Sequence, residues 1–290
     1  MVTVIVTATS TVTAIVTTTP PSWSNRTLWV APPQMTDLSA FNITYFPSGQ
    51  RNLHIVAQTP SEAFAPANPS KTPFSPDPTP TLPPHPRGAD FYATPLNLAG
   101  ARNVTLEYSV FFAANFNWVK GGKLPGLFGG HTGCSGGASA QDCFSTRLMW
   151  RPHGVGELYL YAPKDKQSEA LCADVRSLCD ATYGFSIGRG AFNFTAGDWT
   201  RLSQNVVLNT PGQNDGGFTL EVDGRPVIQR TDVFYRNNVA QRVDEDGDVA
   251  QPAEFLGLFF STFFGGHGKA YATPKQQYTW FKDFAIARYD

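Results

Sequence analysis

From Ala89 to the C-terminus the chain is a run of short segments that alternate apolar and polar residues, cut by glycine and proline, with scarcely any helical spacing. VTLEYSVFFA (104–113) alternates cleanly at a period of two, which sends successive side chains to opposite faces of a strand. FTLEVDGRPVIQ (218–229) carries Asp223-Gly224 at its centre, the dipeptide of a two-residue hairpin turn. EFLGLFFSTFFGG (254–266) and YTWFKDFAIARY (278–289) are apolar runs suited to strands buried on both faces. Many short strands without a βαβ rhythm predict an all-β chain: a two-sheet β-sandwich of jelly-roll type.

The 290 residues are enough for one large domain of this kind. Residues 1–21 are a monotonous Thr/Val tract, read as a disordered tail despite its β-prone alternation. Residues 22–290 form a single domain, in which the proline-dominated stretch 59–88 is an extended loop rather than a boundary. Too little sequence precedes that stretch to build a core of its own. Formal net charge is −1, which argues against a general nucleic-acid binder or membrane-surface protein. No apolar stretch reaches the ~20 residues needed to span a bilayer. An anionic ligand would need a local cationic site.

Cys134, Cys143, Cys172 and Cys179 allow three connectivities, of which Cys134 with Cys143 and Cys172 with Cys179 is the most economical. A continuous helix through SEALCADVRSLC would hold Cys172 and Cys179 about 10 Å apart, too far for a bond. Either that segment bends or the pairing differs. The spacings lack the CxxC pattern of a zinc site, so no metal is expected. Sequons at Asn25, Asn42, Asn103 and Asn193 agree with glycosylation and a secreted, extracellular protein.

The polar chemistry gathers between Trp118 and Tyr161. FSTRLMWR (144–151) and ELYLY (157–161) read as a hairpin closed by PHGVG. Ser145, Arg147, Met149 and Arg151 share one strand face, and Glu157, Tyr159 and Tyr161 share the partner's. If Arg151 faces Glu157 beside the turn, then Arg147 lies opposite Tyr161. The reverse faces are apolar and belong in the core, so the polar face is expected to be open to solvent. Lys123 sits upstream in a glycine-rich turn that lacks the order of a phosphate-binding loop. His267 and Lys269, in another Gly-rich turn, are candidates for binding in the same cleft. DEDGD (244–248) does not follow the calcium-loop spacing and reads as a solvated acidic loop.

KGGKLPGLFGG, followed by a Ser-x-Arg strand and a Tyr-x-Tyr strand, resembles polysaccharide lyase family 14. The likeness runs on through LEYSVFFAANFNWVKGGKLPG, GDWTRLSQNVVLN and FFSTFFGGHGKAYATPKQQYTWFKDF, covering roughly residues 89–290. The resemblance implies a concave jelly roll that cleaves anionic uronic-acid polysaccharides by β-elimination; the chain is expected to work without a cofactor, as a monomer. It places the family's functional residues on Lys123, Ser145, Arg147, Tyr159 and Tyr161. Arg147 would meet the charge developing on the substrate carboxylate. Proton transfer would fall to Tyr161 and Lys123, with Ser145 and Tyr159 orienting the sugar. A tyrosine serves as base only if a nearby cation lowers its pKa, whereas desolvation would equip Lys123 itself. Both assignments stay open on the sequence. A non-catalytic, lectin-like sandwich is the alternative, and the complete reactive set speaks against it.

Overall fold

In a computed structural model, described over residues 2–7, 26–56, 88–180, 182–238, 252–265, 269–275 and 277–289, the chain folds into two facing sheets. The outer sheet runs in the order β14 (Arg225–Val233), β13 (Gly216–Val222), β12 (Trp199–Val207), β6 (Asn103–Phe112), β16 (Gln277–Tyr289), β1 (Val2–Thr7) and β4 (Leu53–Val56). A further strand, β2 (Arg26–Val30), pairs with the end of β16. The inner sheet runs β11 (Phe185–Ile187), β10 (Gly156–Tyr161), β9 (Phe144–Trp150), β8 (Gly126–Gly129), β15 (Phe255–Phe263), β5 (Gly88–Ala93) and β3 (Ile43–Ser48). The short β7 (Gly122–Leu124) is added on β9.

The predicted two-sheet all-β architecture is therefore present, and strand parity fixes which residues fill it. On β6, Val104, Leu106, Tyr108, Val110 and Phe112 are buried between the sheets. Phe91 of β5 stacks on Phe260 of β15 at 4.5 Å, and Phe260 meets Phe281 of β16 at 5.0 Å. Each such side chain removed from water contributes roughly 2 kcal/mol. The 218–229 hairpin turns at Asp223 and Gly224, both at positive φ (52° and 76°), as its Asp-Gly dipeptide demands.

One expectation changes. Part of the Thr/Val tail read as disordered is strand: β1 lies parallel to both β16 and β4. Residues 8–21 lie outside the described residues, as does nearly all of the Pro-rich segment and the acidic run 244–248. Because β3 joins the inner sheet and β4 the outer, the sequence before the Pro-rich segment belongs to the same sandwich. Both economical disulfides are present, with Cα separations of 5.9 Å for Cys134–Cys143 and 5.7 Å for Cys172–Cys179. The second closes because the helix is only Glu169–Ala173, after which the chain bends.

Candidate active site

Arg147 and Met149 of β9 and Tyr159 and Tyr161 of β10 turn away from the core and floor a cavity of about 950 Å³ on the inner sheet. The hairpin is in register, but not the one expected. Glu157 stands opposite Met149, Tyr159 opposite Arg147, and Tyr161 opposite Ser145. The closing turn is two residues shorter, with the Arg151 amide bonded to the Val155 carbonyl at 2.7 Å. The slip moves each partner by two positions, so no side chain changes face. The expectation that fails is solvation: Lys123, Ser145, Arg147, Tyr159 and Tyr161 are all buried. Walls from the 131–143 and 178–189 segments rise around this face and enclose it.

Lys123 reaches the floor from β7, directly opposite Met149. The backbone can approach this closely because Gly122 has no side chain: a Cβ there would fall 2.1 Å from the Trp150 ring. The Lys123 ammonium lies 3.4 Å from the centroid of Tyr159 and 2.7 Å from the Met149 sulfur. Among the described residues it has no carboxylate within ion-pair distance. Burial, aided by repulsion from Arg147 and Arg151, holds its pKa well below the ordinary lysine value.

Arg147 packs 4.6 Å from the Phe259 ring centroid, with Tyr159 and Tyr161 at 5.8 and 5.7 Å. It donates to Ser261 Oγ at 3.3 Å, while its buried Nε has no partner among the described residues. Burial lowers its pKa, yet a guanidinium stays charged. Asp90 lies beside it on β5, and burial pushes its carboxyl upward against the pull of Ser261 and Arg147. The Asp90 Oδ1 oxygen also lacks a partner among the described residues.

The tyrosines differ. Burial raises the pKa of Tyr159, with Tyr161 adding to the shift and Arg147 only partly opposing it. A nearby cation was expected to lower a tyrosine here, but for Tyr159 desolvation wins. The Tyr161 hydroxyl accepts the Gly137 amide at 3.1 Å, and that of Tyr92 accepts Gly133 at 2.9 Å. Gly137 lies within the loop closed by Cys134–Cys143, and Gly133 immediately precedes it. Ser145 does not line the cavity: it is fully buried and donates to the Cys134 carbonyl at 2.9 Å, pinning the same loop.

Other candidates separate. Lys269 opens the 3-10 turn Lys269–Tyr271, of which Tyr271 lines the cavity, and His267 lies outside the described residues. Asn25 lies outside them too. Asn193 is exposed, whereas the Asn42 amide donates to the Thr94 carbonyl and hydroxyl, and Asn103 accepts from Asn205. His131, Asp142 and the Cys143 sulfur lie close together, but that sulfur is spent in a disulfide. No described helix is long and apolar enough to cross a membrane. The sequence reading missed Asp90, Tyr92, Arg189, Phe259 and Ser261. Its one available signal was a charged residue on the non-core parity of an apolar strand, as in GADFYA.

A β-sandwich that gathers a buried lysine, arginine and tyrosines in one large cavity has the groups that acid–base chemistry on an anionic ligand needs. The comparisons agree. The polysaccharide lyase 14 family model matches residues 79–284, and the chain belongs to that family: it is a polysaccharide lyase. It is similar to the PL-14 alginate lyase from Aplysia kurodai at 38% identity, over 69% of this chain and 75% of that one, with a TM-score of 0.59. An alginate lyase from a Chlorella virus shares the fold at 24% identity, over 69% and 76% of the two chains, with a TM-score of 0.53. So does alginate lyase Aly36B, solved with an alginate trisaccharide, at 20% identity, 70% and 75% coverage and a TM-score of 0.52. Among curated proteins no sequence matches significantly.

Proposed function

We propose that the enzyme cleaves a uronic-acid polysaccharide of alginate or glucuronan type by β-elimination, outside the cell, with Lys123 as base and Tyr159 as acid. Two disulfides and the sequons support an extracellular setting. The observation that carries the chemistry is the buried Lys123 ammonium, without a carboxylate partner among the described residues, lying over Tyr159 and beside Arg147 in the cavity.

The uncharged Lys123 amine takes the proton from C5 of the uronate. The electron pair of that C–H bond becomes the C4–C5 double bond as the C4–O bond breaks. Charge building on the carboxylate in between is met by Arg147, a fixed cation in a dry site. The leaving oxygen takes the proton that Tyr159 keeps. Tyr159 suits this role better than Tyr161, being 8% rather than 1% exposed and held protonated by burial. Tyr161 and Ser145 act through the Cys134–Cys143 loop, which they hold in place.

Uronate polymers incubated with the enzyme are expected to yield unsaturated ends with ultraviolet absorbance. Tyr159→Phe should lower that rate about 10²–10⁴-fold, the usual loss on removing a general acid, while oligouronate binding persists. A wild-type protein that binds uronates without ever forming the chromophore would leave a carbohydrate-binding sandwich instead.

A further inference from the structure

At the end of the cavity beyond Met149, Glu157 is fully buried, yet two guanidiniums rather than one converge on it. Its Oε1 accepts from Arg151 Nε at 2.9 Å and Nη2 at 2.5 Å. Its Oε2 accepts from Arg189 Nε at 2.7 Å and Ser186 Oγ at 2.6 Å. A single arginine would suffice to balance a buried carboxylate. The second leaves one net positive charge, and Arg151, Arg189 and Ser186 all line the cavity wall. The Arg189 side chain is 35% exposed, and its terminal nitrogens make no hydrogen bond among the described residues. Asp180, an acid on this wall, is engaged by the Thr182 and Tyr183 amides and offset by Lys164.

We propose that this Arg151–Glu157–Arg189 triad is a second carboxylate subsite, which receives another uronate of the polymer whose neighbour is being cleaved at Arg147. Glu157 and Tyr159 are successive same-face residues of β10, so the positions that carry the two cationic groups are about 7 Å apart along the strand. Glu157 clamps Arg151 through Nε and Nη2 and Arg189 through Nε alone, which leaves the outer N–H groups of Arg189 for a ligand in the cavity that it lines. A planar, pre-oriented fork of this kind recognises a carboxylate better than a flexible ammonium does. The triad thus makes the density of carboxylates along the glycan a determinant of selectivity. The inference rests on the uronate-lyase reading above.

The test compares Arg189→Gln with wild type on a fully charged homopolyuronate and on the same polymer with most carboxyls reduced to alcohols. Arg189→Gln is expected to lose about 10- to 100-fold in kcat/KM on the charged polymer, chiefly through KM, as for one charge-assisted hydrogen bond. Its preference for charged over reduced polymer should fall by the same factor, and Arg189→Lys should restore part of it. Equal losses on both polymers, or none on either, would overturn the subsite and leave Arg189 as a support for Glu157. Calorimetric binding of a homouronate tetramer to Lys123→Ala, with and without Arg189→Gln, keeps the two readings apart. A drop in affinity without chromophore from any wild-type reaction would sink the lyase assignment but keep the subsite.

Discussion

Replacing Lys123 with methionine should make the protein more stable while abolishing its activity. The ammonium is buried without a carboxylate partner among the described residues, and removing such an ion from water costs several kcal/mol. The Tyr159 face under it returns about 2 kcal/mol of that as a desolvated cation–π contact. Methionine keeps the length of the side chain and a favourable sulfur–aromatic contact, without any charge to desolvate. The balance is a gain of about 1–3 kcal/mol, with each kcal/mol worth roughly 2–4 °C in melting temperature at this size. The gain must also depend on pH in a definite direction. Lys123 has a folded pKa below its unfolded one, so the unfolded chain binds the extra proton. The wild-type deficit is full below the folded pKa and fades as pH rises towards the ordinary lysine value of about 10.4. Calorimetric melts of both proteins across this range, beside the rate of chromophore formation, measure each part. The rate should fall about 10²–10⁴-fold as the base is lost. A Lys123→Met protein that is less stable at neutral pH, or that retains activity within tenfold, would refute the reasoning.

The same assignments predict a bell-shaped pH profile for kcat, with the acid limb below the ordinary lysine range and the alkaline limb above about 10, where Tyr159 finally ionises. An acid limb at the ordinary lysine value would remove Lys123 as the base. Replacing Cys134 and Cys143 together by alanine should cost about 3 kcal/mol in a denaturant melt from loop entropy. It should also lower kcat, by releasing the Gly137 amide from Tyr161 and Ser145 from the Cys134 carbonyl. Lost stability with intact kcat would show that this loop does not position the tyrosine.

Strand parity survived the passage from sequence to structure because it has only two states. The hairpin register was misjudged by two positions, yet Arg147, Tyr159 and Tyr161 kept a common face, since an even slip never turns a side chain over. What parity cannot convey is which polar face lies open and which lies under walls. The cover over Arg147 comes from the 131–143 loop, which follows β8, and from the stretch around Asp180 and Arg189, which follows β10. Neither has a periodic pattern, and each is placed by a disulfide and by single contacts such as Ser145 to Cys134. Asp90 and Arg189 were missed for the same reason. Sheet pairing brings Asp90 to the site from β5, and a turn after β11 brings Arg189, so neither is near Arg147 in sequence.

That cover changes the chemistry as well as the shape. On an open face, a lysine beside a tyrosine stays charged and draws the phenol towards ionisation, which would make the tyrosine the base. Under cover, the dominant influence on both groups is desolvation, which penalises whichever form is charged. For Lys123 the charged form is the protonated one, so its pKa falls; for Tyr159 it is the ionised one, so its pKa rises. One physical cause therefore moves both groups towards their neutral forms, the amine towards a free electron pair and the phenol towards keeping its proton. Arg147, whose guanidinium does not give up its proton, remains the cation for the substrate carboxylate. Elimination needs a base, an acid and a fixed positive charge together, and in the proposed mechanism these three residue types, buried at one place, supply them.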